Sequence, residues 1–162
     1  QAARGLWGVM PRGQQRRGTC DVAHDNAALE KAAELLEWAE ESINKGQGAQ
    51  VLTEAQEAHK IFQATGDKPR AALALYAVAQ AHIARGESLA AVAAAESVAV
   101  TFAELGRAKA ANTAPIGWAQ RAAAAWVSAA RGHNMLGRPG EGLKAATEAG
   151  AIFRSLGDRL GE

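Results

Sequence analysis

The chain has 162 residues and carries 18 Lys and Arg against 17 Asp and Glu, a net charge of +1. That balance removes the whole-molecule electrostatic case for nucleic acid or an anionic membrane as a partner. The length suits one domain burying about two thirds of its unfolded surface, but 41 Ala against three Phe, one Tyr and four Trp mean that its elements must approach closely.

Residues 1–25 read as an extended basic arm. Residues 1–20 hold Arg4, Arg12, Arg16 and Arg17 and no acid, and they resemble the trailing part of a chloroplast or mitochondrial targeting region or the mature end left after its cleavage, although the low Ser content argues against either. Leu6, Trp7, Val9 and Met10 are too few to offset the ordering of twenty residues, so an ordered arm needs a surface to lie on. The expected surface is a neighbouring chain: Leu6, Trp7 and Met10 insert as apolar anchors, and Arg12, Arg16 and Arg17 meet acidic groups or lipid headgroups at the rim. Cys20 is the only cysteine, which excludes a disulfide framework and Cys-based metal spacing.

From Asn26 onward Ala, Leu, Glu, Gln and Lys run in long stretches with Gly as punctuation, and strand signals are nearly absent. The pattern predicts helices over 26–45, 48–65, 69–85, 88–105, 118–136 and 139–156. Gly46, Gly86 and Gly137, and at the alternate ends Gly66, Gly106 and Gly157, fall where a helix C-cap takes positive φ. Residues 21–66 hold nine acids against three lysines, a solvated helix face. Gln80, His82 and Glu96 interrupt the most apolar stretches, so no run reaches the roughly 18 residues of a membrane span; the expectation is a soluble or peripheral chain.

The breaks are periodic. Gly46 to Gly86, Phe62 to Phe102 and Gly66 to Gly106 are each 40 residues, and Gly86 to Gly137, Phe102 to Phe153 and Gly106 to Gly157 are each 51. A helical-hairpin unit therefore recurs over about 26–66, 67–106 and 107–157, with eleven extra residues at 107–117, where Pro115 and Gly117 mark a break expected to be a surface loop or a short helical extension. FRSLGDRLGE at the end repeats the form of FQATGDKPRA at 62–71, which reads as the entry to a further hairpin at 157–162 and a chain continuing past Glu162.

Within each unit the small and bulky positions recur. The first helices place Leu35, Trp38, Ala39 and Ser42, then Leu75, Val78, Ala79 and His82, then Trp126, Ala129, Ala130 and His133; the second helices place Val51, Ala55 and Ala58, then Ala91, Ala95 and Val98, then Gly142, Ala146 and Ala149. This pattern, over residues 28–162, resembles the tetratricopeptide repeat in its longer variety of about 40 residues. The small residue of the first helix is kept each time, the family's Tyr is replaced, and its closing Pro is missing. The resemblance implies an all-α solenoid of three antiparallel hairpins with no catalytic role. Its first helices would line a concave protein-binding surface, with Leu36, Glu40 and Ile43, then Tyr76, Gln80 and Ile83, then Val127, Arg131 and Asn134 facing the groove. This set lacks the several Lys and Asn of the family's carboxylate-gripping subclass, which disfavours an acidic C-terminal peptide.

No motif points to chemistry. His82 and His133 hold one repeat position in different hairpins, which suits packing between helices better than a shared ion, and His24 and His59 have no partner at ligand spacing. Glu40 with Glu41 and Glu54 with Glu57 read as solvated charge, and Gly46-Gln-Gly48 as a hairpin turn. Trp38 and Trp126 sit at repeat core positions, Trp118 at a helix start, and Trp7 in the arm. No enzyme, cofactor or metal is expected. The leading expectation is a noncatalytic protein-interaction scaffold within a larger assembly. The other is a structural accessory subunit of a photosynthetic or respiratory membrane complex, held by the arm.

Overall fold

The computed structural model describes residues 20–107 and 115–160, with side chains placed over 26–107 and 117–157. Six helices follow one another: α1 (Cys20–Asn44), α2 (Leu52–Ala64), α3 (Lys68–Ala84), α4 (Ser88–Arg107), α5 (Pro115–Met135) and α6 (Pro139–Leu160), with one 3-10 turn at Gly48–Gln50 before α2. No strand occurs among the described residues.

Four of the predicted glycine stops share one geometry. Gly46, Gly66, Gly86 and Gly137 have φ of 78°, 76°, 75° and 68°. In each, the residue after the glycine donates its N–H five positions back, from Gln47 to Ser42, Asp67 to Phe62, Glu87 to His82 and Arg138 to His133, at 2.8–2.9 Å. This is the Schellman closure, and it needs the left-handed conformation that glycine adopts without steric cost. At the second turn Asp67 also caps α3, its carboxylate accepting from the Arg70 N–H at 3.1 Å, with Pro69 in the first turn where a missing N–H is harmless.

Gly106 and Gly157 do not turn the chain: both lie inside helices, and Gly157–Leu160 extend α6, so the predicted entry to a further hairpin is corrected to continued helix. α5 starts at Pro115, which places Gly117 inside a helix, while 108–114 lie outside the described residues. Of the two alternatives for 107–117, a surface loop or a short helical extension, the described ends are helical: Arg107 closes α4 and 115–117 open α5. α1 likewise starts at Cys20, within the stretch assigned to the arm; the expectations for Leu6, Trp7, Met10, Arg12, Arg16 and Arg17 lie outside the described residues, and His24 falls where no side chain is placed.

Each helix packs on the next in sequence. α1 also touches α3, and α3 touches α5, whereas α2, α4 and α6 make no such contacts with one another. Close crossing explains the alanine content. Ala32, Ala39, Ala55, Ala58, Ala74 and Ala81 are all fully buried around Phe62, and a second cluster gathers Val98, Ala99, Ala122 and Ala125 around Phe102. Phe102 is stacked on Trp118, centroids 5.7 Å apart, and meets the Tyr76 ring edge-on at 6.2 Å. Each fully buried Phe contributes about 1.5–3 kcal/mol through desolvation alone. Between α4 and α5 the approach is so tight that a Cβ on Gly132 would stand 2.6 Å from Val92 Cγ2.

One core expectation changes: Trp38 is 44% exposed on α1, because no described helix precedes α1 to cover it. Phe153, which shares the spacing of the fully buried Phe62 and Phe102, is 48% exposed. α4 is long and apolar enough to cross a membrane, which sequence inspection missed by weighing Glu96 as an interruption. In the fold α4 lies between α3 and α5 with a third of its apolar window buried, and Glu96 receives a bond from His133 on α5.

Candidate functional site

The side of the molecule on which α1, α3 and α5 meet carries two hollows. One, of about 220 Å³, is lined by Glu40, Ile43 and Asn44 of α1, Leu73, Tyr76, Ala77 and Gln80 of α3, and Arg121 of α5. The other, of about 160 Å³, is lined by Ile43, Gly46, Gly48, Gln80, Ile83, Ala84 and Arg131. Ile43 and Gln80 border both, so the hollows adjoin, and together they form the groove considered below.

Its floor is fixed by polar contacts between helices. The Gln80 amide donates to the Ser128 hydroxyl at 2.8 Å, and that hydroxyl donates to the Ala124 carbonyl at 3.0 Å. Ser128 is buried, and Gln80 and Tyr76 are half-buried. Close packing against Ala84 keeps Gly48 without a side chain, since a Cβ there would lie 3.3 Å from Ala84 Cβ. The groove is asymmetric in charge, with Glu40 on the α1 wall and Arg121 and Arg131 on the α5 wall.

The predicted groove residues divide. Glu40, Ile43, Tyr76, Gln80, Ile83 and Arg131 line it. Leu36 is buried in the core, and Val127 is 51% exposed without bordering either hollow. Asn134 lies against α6, where its Oδ1 would be 2.6 Å from a Cβ on Gly142. Arg121 was missed, although the signal was present: it precedes Ser128 by seven residues, two helical turns along the same stripe. Tyr76 is also less separable from the core than its spacing implied, because its ring meets Phe102.

Elsewhere the polar groups serve the fold. Glu87 is held by His82 Nδ1 at 2.6 Å and by Arg85 Nε at 2.7 Å, and the His82 bond, foremost, keeps its carboxyl below the ordinary glutamate range. Lys45 does the same for Glu41, and Lys144 for Glu141. His133 is buried, with Nε2 3.0 Å from Glu96. Glu57 pairs with Lys31 across 2.7 Å, while Glu54 is half-buried rather than solvated, one carboxylate oxygen being out of contact with water. A hollow of about 380 Å³ lies between α2, α3 and α4, lined among others by His59, Lys68, Ser97 and Thr101 over Phe62 and Leu75; His59 Nδ1 is engaged by the Ala71 carbonyl at 2.9 Å. Among the described residues no cluster of three His, Cys, Asp or Glu is close enough to hold a metal ion. Comparison with protein-family models, with curated proteins and with solved structures returns no match.

Proposed function

We propose that this chain is a noncatalytic protein-interaction scaffold of the tetratricopeptide type, three stacked hairpins forming a curved array whose odd-numbered helices present a peptide-binding groove. The observation that supports this most strongly is that the two hollows adjoin at Ile43 and Gln80 on the side where α1, α3 and α5 meet. Helix pairs that touch on one side and not on the other curve toward the touching side, as repeat arrays do.

The lining defines the partner's chemistry. Ile43, Leu73 and Ile83 offer apolar contact, Gln80 and Asn44 offer amides to a peptide backbone, and the opposed charges set direction. A segment with an apolar anchor, an acidic group toward Arg121 and Arg131 and a basic group toward Glu40 satisfies all of these.

The test is selection of binding peptides from a displayed random library on the intact chain, followed by binding to variants. Arg121→Glu and Glu40→Lys should each weaken the selected peptides about tenfold or more, with no change in helical signal. Peptides that bind both variants as tightly as the parent would refute the groove.

A further inference from the structure

Two hollows hold the same place in successive repeats. The larger, of about 380 Å³ between α2, α3 and α4, includes Phe62, Gln63, Gly66, Lys68, Ala71 and Thr101 in its lining. A second, of about 260 Å³ between α4, α5 and α6, is lined at the matching positions by Phe102, Ala103, Gly106, Ala119, Ala122 and Ile152, which lie 40 residues on from α2 and 51 on from α3 and α4.

The repeat thus supplies its own control. Between α4 and α6 the fold builds this hollow with small or aliphatic side chains. Between α2 and α4 it puts Gln63 for Ala103, Lys68 for Ala119 and Thr101 for Ile152, and His59 stands where the later repeat has Ala99. The packing of the hairpins is met without these four polar groups one repeat on, yet all four converge on one hollow. Its volume falls within the range of small-molecule sites, which begins at about 300 Å³.

Their hydrogen bonds define what the hollow still offers. The Ala71 carbonyl can only accept, so neutral His59 carries its proton on Nδ1, 2.9 Å away, and keeps Nε2 as an acceptor with no partner among the described residues. Thr101 donates its hydroxyl proton to the Ser97 carbonyl at 3.0 Å, which leaves its oxygen able to accept. The Gln63 amide donates, and so does the Lys68 ammonium, which forms no ion pair among the described residues. No Asp or Glu lines the hollow, and neighbouring Asp67 is engaged by Arg70, through its backbone N–H at 3.1 Å and Nε at 3.6 Å. Beneath the polar groups Phe62, Ala71, Ala72 and Leu75 form an apolar floor.

We propose that this hollow binds a small apolar acid that also carries a hydroxyl group. Its carboxylate pairs with Lys68 and Gln63 beside the α2–α3 turn, its apolar body lies over Ala72 and Leu75, and its hydroxyl donates to His59 Nε2. The site shares no lining residue with the groove and is independent of it.

The probe is 3-(4-hydroxyphenyl)propionate, titrated into the full chain and followed by amide and side-chain chemical shifts. Saturable shifts at His59, Lys68 and Thr101 are expected, with a Kd of about 1 mM or tighter. 3-Phenylpropionate, which lacks the hydroxyl, should bind about threefold weaker, and 3-(4-hydroxyphenyl)propionamide, which lacks the charge, about tenfold weaker. Lys68→Ala changes an exposed side chain and should remove the preference for acid over amide. Writing the later repeat's residues into the earlier one, His59→Ala, Gln63→Ala, Lys68→Ala and Thr101→Ile together, should abolish the shifts and keep the helical signal. Absence of saturable shifts at these residues, an amide that binds as tightly as the acid, or a Lys68→Ala chain that discriminates as the parent does would each overturn the proposal.

Discussion

The Gln80 amide donates to the Ser128 hydroxyl across 2.8 Å, linking α3 to α5 over 48 residues of sequence and setting the depth of the groove between them. Ser128 also bonds its own helix at Ala124, so losing Gln80 leaves the buried hydroxyl with one partner. Gln80→Ala should therefore cost about 0.5–1.5 kcal/mol in urea unfolding. Ser128→Ala should cost no more, since the half-buried amide can turn to water. A double variant no worse than Gln80→Ala alone would show that the two act as one contact.

Gly132 tests how tightly α4 and α5 cross. A methyl group there falls 2.6 Å from Val92 Cγ2, and valine has little rotamer freedom with which to withdraw. Gly132→Ala should destabilise by about 1–3 kcal/mol despite its better helix propensity. Adding Val92→Ala should return part of that loss, and calorimetry of the four proteins gives the coupling.

Trp118 is 6% exposed and stacked on Phe102, although in sequence it merely follows a break. Trp118→Ala should cost about 3–5 kcal/mol, the range for emptying a large core site. A loss below 1 kcal/mol would place the indole outside the core.

The pH dependence of the turn between α3 and α4 follows from Glu87. His82, and then Arg85, hold its carboxyl below the ordinary value of about 4.3. A carboxyl depressed on folding contributes stability that is fully present above its unfolded pKa and is lost as pH falls through its folded one. The melting-temperature gap between the parent and Glu87→Gln should thus be constant from pH 7 to about 5 and close below about 4. A gap that widens with acid would reverse the assignment.

The sequence disclosed what repeats. Gly46, Gly66, Gly86 and Gly137 announced four turns because one backbone conformation demands glycine, and Phe62 with Phe102 marked equivalent core sites. Gly106 and Gly157 fit the same spacing and misled, because spacing does not distinguish a glycine that ends a helix from one inside it. Trp38 misled for another reason: equivalence in a repeat predicts burial only where a neighbour exists on both sides. Of the residues that the family resemblance implied for a groove, Glu40, Ile43, Tyr76, Gln80, Ile83 and Arg131 border the two hollows together with Arg121, whereas Leu36, Val127 and Asn134 do not, since orientation is decided by which neighbour each helix touches.

The groove is tested most directly by amide and methyl chemical-shift mapping of the intact chain with a selected peptide. The largest shifts should fall on Ile43, Tyr76, Gln80, Ile83, Arg121 and Arg131, and Arg121→Glu should diminish them at equal peptide concentration while the melting temperature holds. Shifts centred instead on His59, Ser97 and Thr101, in the hollow between α2 and α4, would contradict it.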